Sequence, residues 1–410
     1  MTYPKTVLLL FFAVSLITIN LPLNLNPLYV VHPLNYLCVI ILIIITQKDT
    51  EFKNLFPRFK KIIITYWLYS IFITVLGLVL SENYWDYKNV LFHYIPVVFI
   101  SLTIFLGIRF EENLDILKFL MNIIFPITTI IGILLYIIFN EFLYKNDYDF
   151  LITRLTIPIF FFVLAVPFLT RKNKILILIF SIFYIFIDPL WRTNIIRIGA
   201  CWIFVIIYLT FGLNKKLLNI FGIVTLIIPL IFLYTGYTGK LDIFEYYTID
   251  NSELNLTQRK QFSNTRTFLY VEVIDSMKNK DNSLLFGGGA SNGYQTNYFF
   301  DTNVSISTNQ ERYKTEVAFL NTLNRSGLIG ALLEILILFF AAYYAINKSN
   351  NNFCKLLALY LYLSYVLYFI ELPQAVNLGY FFYYFIIGIC LNNSFRQSDD
   401  KKIKFLFKTI

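Results

Sequence analysis

Long apolar runs separated by short polar connections dominate the chain. A helix needs about 20 mostly apolar residues to cross a bilayer, within a range near 17–25. Runs of this kind lie at 6–21, 28–46, 62–80, 90–107, 116–139, 151–169, 174–189, 194–212, 217–235, 317–346, 353–371 and 376–391. The first is short, and 317–346 is too long for a simple span. Membrane β-strands would be about 10 residues long with strict alternation, and none of these runs alternates. The pattern predicts an all-α fold, a polytopic membrane helix bundle of about 12 spans.

One polar stretch, 236–315, interrupts the pattern between the ninth and tenth spans. The predicted organisation is a nine-helix membrane region at 1–235, a large loop at 236–315, and a three-helix region with a basic tail at 316–410. The loop is expected to be partly helical. Phe268, Val271, Ile274 and Met277 recur at helical spacing, and Asn264 is suited to cap that helix. Gly287-Gly288-Gly289 then ends it, and lacks the Lys-Ser/Thr of a phosphate-binding loop. The triplet predicts a turn or a close backbone approach.

Charge gives the orientation, because cytoplasmic connections collect Lys and Arg. With the N-terminus inside, the inner connections and tail hold 20 of the 34 basic residues. They include Lys60, Lys61, Arg109, Arg171, Lys172, Lys215, Lys348, Arg396 and Lys402. The short outer connections hold only Lys88, Lys145, Arg154, Arg192 and Arg197. This predicts both termini in the cytoplasm and the 236–315 loop outside. Lys5 and the apolar run Val7–Ile19 look like a signal peptide, but no small-residue cleavage site follows. The run reads as an uncleaved first helix.

Composition sharpens this picture. Charged residues make up 14% of the chain, against about 25% in soluble domains. That excludes an ordinary cytosolic enzyme, a disordered protein and a nucleic-acid-binding domain. The four cysteines, Cys38, Cys201, Cys354 and Cys390, lie in or beside apolar runs with no paired spacing. Only two histidines occur, His32 and His93, so no metal or other cofactor is implied.

Candidate chemistry rests on the arginines that topology does not explain. Arg154, Arg192 and Arg197 stand at outer ends of apolar spans. Arginine there is costly, and it either snorkels to lipid phosphate or faces an anion. Its planar fork suits phosphate. Arg266 falls in the first turn of the loop helix, where a bound anion would offset the helix dipole. Arg325 shares a helix face with Asn321 at the entry to the tenth span. Glu316 precedes that entry and is a candidate general base, although a carboxylate there also suits a helix N-terminus. Glu334 lies deeper in the same run, and an intramembrane carboxylate either carries function or pairs within the bundle.

Three patterns give a family resemblance. One is Trp191-Arg192-Thr193-Asn194-Ile195-Ile196-Arg197 at an outer span start. A second is Thr265-Arg266 followed by Leu285-Phe286-Gly287-Gly288-Gly289. The third is the loop exit, Glu316-Val317-Ala318-Phe319-Leu320 through Gly327-Leu328-Ile329-Gly330. With the late large loop, the chain resembles the O-antigen polymerase and O-antigen ligase superfamily, in its Wzy-type polymerase branch. Ligases typically carry His where this chain has Glu316.

The resemblance implies a glycosyltransferase at the periplasmic face of the bacterial inner membrane. It would polymerise undecaprenyl-pyrophosphate-linked oligosaccharide repeat units into a surface polysaccharide. Arg154, Arg192, Arg197, Arg266 and Arg325 would meet the pyrophosphate. Glu316, Arg266 and Arg192 would carry the catalysis. Membrane lipid and a polysaccharide chain-length regulator are the implied partners. The open alternatives are a ligase acting on lipid A-core and a transporter of the same lipid-linked sugars.

Overall fold

The computed structural model describes residues 57–119, 121–122, 126, 130, 159–187, 192–238, 267–278, 283–296, 311–370 and 378–408. The first helix among the described residues, α1 (Pro57–Leu80), opens on a proline, whose missing N–H costs nothing in a first turn. α2 (Tyr84–Ile108) opens on a capping box: Asn83 Oδ1 accepts from the Trp85 and Asp86 amides, and the Asp86 carboxylate accepts from the Asn83 amide. A π-helical turn at Val90–Tyr94 interrupts its regular winding. There follow α3 (Leu114–Phe119), α4 (Ile159–Phe168), α5 (Arg171–Ile187), α6 (Arg192–Phe211) and α7 (Lys215–Thr238). The loop region contributes α8 (Thr267–Lys278), α9 (Ser283–Phe286) and a two-stranded antiparallel ribbon. In that ribbon β1 (Tyr294–Gln295) pairs with β2 (Glu311–Arg312), Tyr294 opposite Arg312. The chain continues through α10 (Ala318–Asn347), α11 (Asn352–Ile370), α12 (Leu378–Leu391), α13 (Asn393–Gln397) and α14 (Asp400–Lys408).

Six of these helices are long and apolar enough to cross a membrane: α1, α2, α6, α7, α10 and α11. The predicted runs 151–169, 174–189 and 376–391 correspond to the shorter α4, α5 and α12. The runs 6–21 and 28–46, and most of 116–139, lie outside the described residues. The chain is therefore an apolar helical bundle, with six helices of spanning length among the described residues.

Burial separates central from peripheral helices. In α11, 78% of the apolar window is buried; in α7 it is 22%. The outward face of α7 carries Ile220, Ile223, Ile227, Leu230 and Ile231 exposed. A soluble protein rarely tolerates such a face, and hydrocarbon would cover it. Helices α2 and α12 touch backbone to backbone. A methyl group on Gly107 would meet the Phe385 carbonyl oxygen at 2.0 Å, and one on Gly388 the Ile104 carbonyl oxygen at 2.0 Å. Small residues of this kind let helices pack closely in lipid, where no hydrophobic drive acts between them.

The basic connections gather at one end. Lys402 pairs with Glu111 at 3.7 Å, and Arg396 donates to the Lys348 carbonyl at 2.9 Å. Asn352 donates to Asp400 through its amide and its side chain, each at 2.7 Å. Asn392 donates to the Ile108 carbonyl. Ends of α2, α10, α11 and α12 thus lie together. The loop elements α8 and α9 and the β ribbon pack toward the other end. Tyr270 of α8 donates to the Phe369 carbonyl near the end of α11.

The loop helix differs from its predicted register. Its inward face is Leu269, Tyr270, Val273 and Met277, while Val271 is exposed and Ile274 half-buried. The 3-spaced pattern read from the sequence drifts around the helix; the buried set follows the steps of four and one that hold one face.

Candidate functional site

The run 317–346 is two helices. At Gly327 the backbone turns to φ 61°, ψ −168°, a region open almost only to glycine. The hydroxyl of Thr322, before the break, donates to Glu334 Oε2 beyond it at 3.2 Å. Twelve residues of unbroken helix would hold them about 18 Å apart. The segment Ala318–Ser326 therefore folds back against the span that begins at Leu328. This resolves the excess length: a short inner helix precedes a full span.

Every residue of that inner segment is buried, including Asn321, Thr322, Asn324, Arg325 and Ser326. Polar groups so placed need partners. Asn321 pins the entry, accepting from the Thr315 amide at 2.7 Å and donating to the Thr315 carbonyl at 2.9 Å. The glycine triplet closes the other end. Gly288 N donates to the Asn324 carbonyl and Gly289 N to the Arg325 carbonyl, each at 3.0 Å. Tyr69 of α1 donates to the Ser326 carbonyl at 2.8 Å. Asn292 and Asn324 bond reciprocally, and Asn292 donates to Asn324 Oδ1 at 2.8 Å. The triplet is thus a close backbone approach: a methyl on Gly287 would lie 2.2 Å from the Arg325 carbonyl oxygen.

Arg325 is one of the cations this fold buries. It is 3% exposed. Its Nη2 donates to Asn89 Oδ1 at 3.0 Å and to the Tyr313 carbonyl at 2.9 Å. Its Nε has no hydrogen-bond partner, and no carboxylate pairs with the guanidinium, among the described residues. The Tyr313 hydroxyl in turn donates to Asp86 at 2.8 Å. Arg325 lines a narrow cavity with Tyr66, Tyr69, Tyr94, Ser326 and Glu334. The space suits about one water molecule.

Glu334 faces the same cavity. It accepts from Tyr368 at 2.6 Å, Thr322 at 3.2 Å and Tyr66 at 3.4 Å. Three hydroxyl donors thus hold it in place. The site sets a cation held by neutral oxygens near a carboxylate held by hydroxyls, with no direct ion pair between them. A negative oxygen entering beside Arg325 would find a cationic side chain, and a hydroxyl would find an acceptor in Glu334.

Glu316 stands apart from the cavity. Its Oε1 pairs with Arg312 Nη2 at 2.7 Å, and its side chain is 46% exposed. Arg312 also donates to the Tyr294 hydroxyl at 3.2 Å, tying the β ribbon to the helix entry. Burial works to lower the Arg312 pKa, but Glu316 and Tyr294 beside it hold it above the ordinary guanidinium value. Burial pushes the Tyr294 phenol up. Arg197 lies in a different neighbourhood. It is buried, bonds Asn194 at 3.4 Å, and stands 5.6 Å from the Phe160 ring centre. Among the described residues its hydrogen-bond and ring contacts share none with those of Arg325. Arg192 opens α6, with its side chain outside the described residues, and Arg154 and Arg266 lie outside them altogether.

Sequence reading missed Arg312, Asn89, Asp86 and the tyrosines around Glu334. The signal for Asp86 was available, since Asn83-x-x-Asp86 is a capping box. No family model, curated protein or solved structure matches this chain.

Proposed function

We propose that this chain is an integral membrane glycosyltransferase that joins lipid-linked oligosaccharide repeat units, with a polyprenyl pyrophosphate as leaving group. The observation that carries the reading is the cavity at the folded-back helix, which buried Arg325 and the carboxylate-bearing Glu334 both line. Glycosyl transfer from a pyrophosphate lipid needs a donor for the departing charge and an acceptor for the attacking hydroxyl proton. Arg325 supplies the first and Glu334 the second. Positioned donors in a water-poor site are worth more than the same groups in water. The cavity admits a single small group, so the sugars and the lipid lie outside it.

Arg192 and Arg266 complete the pyrophosphate contacts in this proposal. Glu316 and its partner Arg312 orient the acceptor at the loop. Arg192→Ala and Arg266→Ala are each expected to abolish polymer while membrane insertion stays normal; wild-type polymer length and amount in both would remove them from the site. In a cell lacking this protein, lipid A-core bearing a single repeat unit is expected. Unmodified core would point instead to a ligase.

One observation favours a second reading, a transporter of the same lipid-linked sugars. Broken helices that end in a polar cavity are a transporter device. Reconstituted vesicles separate the two. Movement of lipid-linked sugar across the bilayer without new glycosidic bonds would establish the transporter.

A further inference from the structure

The C-terminal helix α14 is amphipathic across the end of the bundle. Ile403 and Phe407 are fully buried. Phe407 packs on Phe353 at 5.0 Å, Phe110 at 6.1 Å and Phe168 at 6.4 Å between ring centres. Those three rings stand at the ends of α11, α2 and α4, so α14 lies where the spans stop. Asp400 fixes its start through Asn352, and Lys402 fixes its side through Glu111.

The opposite face has no protein cover among the described residues. Phe405 is 67% exposed there, and Lys401, Lys404 and Lys408 are exposed around it. At 100° per residue these four fall within an arc of about 100°, opposite Ile403 and Phe407. An exposed phenylalanine ringed by lysines suits one surface in particular. The ring enters the acyl boundary while the ammonium groups meet headgroup phosphates. Water alone would leave Phe405 unsatisfied, and a bare protein partner would have to neutralise three charges.

We propose that this face of α14 binds the anionic phospholipid of the leaflet at the basic end of the bundle. The charge is complementary, and the helix packs where α2, α4 and α11 end. Each lysine near an anionic surface strengthens binding by about fivefold.

The test uses the full chain in nanodiscs of mixed phosphatidylcholine and phosphatidylglycerol. The lipid retained after mild delipidation is analysed for the wild type and for K401Q/K404Q/K408Q, all surface positions. The wild type is expected to enrich phosphatidylglycerol. The triple variant is expected to lose about tenfold or more of that enrichment, as is the wild type in high salt. Lys278→Gln, on the loop helix, serves as control and should retain it. Equal enrichment in the wild type and the triple variant, or no preference for the anionic lipid in either, would overturn the proposal.

Discussion

At the scale of single residues, buried charges either line the cavity or fasten the fold. Arg396 and Arg325 are both buried arginines in different surroundings: Arg325 lines the cavity and Arg396 holds a turn. Arg396 is fully buried, donates to the Lys348 carbonyl and to Asn393, and stands 5.4 Å from the Tyr344 ring centre. It fastens the turn between α10 and α11. Arg396→Ala is expected to destabilise the fold by about 3 kcal/mol, since charged hydrogen bonds are lost and carbonyls are left unpaired. Thermal unfolding in detergent reads this directly; an unchanged midpoint would contradict it.

The two carboxylates divide in the same way. Glu316 is half-exposed and ion-paired, and such pairs contribute about 1 kcal/mol or less. Glu334 faces the cavity of Arg325. Glu334→Gln is therefore expected to slow polymer formation by about 100-fold or more, and Glu316→Gln by far less. Initial rates in reconstituted vesicles decide, and the reverse order would move the role to Glu316. Reading the sequence marked Arg325, Glu316 and Glu334 because charge in an apolar run stands out. It could not pair them: Arg312 and Glu316 meet in a loop, and Asn89 reaches Arg325 from 236 positions away.

At the scale of elements, the folded-back helix is the main departure from a simple span. Its length was legible in the sequence as an excess, and its cause was not. Gly327 stands within an apolar context, and only the glycine loop docked against it reveals the turn. Gly327→Ala meets two obstacles. The backbone conformation costs a side chain about 1–3 kcal/mol. The added methyl would lie 2.3 Å from the Leu285 carbonyl oxygen. The variant is expected to lower the unfolding midpoint and to expose Ser326 and Arg325 to faster hydrogen exchange. Wild-type exchange in that segment would argue against the latch. The loop helix was legible in existence but not in face, because apolar residues lie on more than one side of it. The capped start of α2 falls outside the hydropathic run, for polar caps do not register as apolar.

At the scale of the molecule, hydropathy and charge act together. Apolar faces such as that of α7 point outward, polar side chains collect in the folded-back segment, and basic groups gather at the opposite end. These features were legible because they are sums over many residues. The meeting of α1, α2, the glycine loop and α10 in one cavity is a product of tertiary packing, which no local pattern encodes. The central claim is that the protein carries out glycosyl transfer with the help of Arg325 and Glu334, which line this cavity. The direct measurement incubates purified, reconstituted protein with polyprenyl-pyrophosphate-linked repeat units and resolves the products on a gel. The wild type is expected to give a ladder of polymers. Arg325→Ala, inserted and folded, is expected to give none. A wild type that forms no ladder, or an Arg325→Ala variant that forms the same one, would contradict the account.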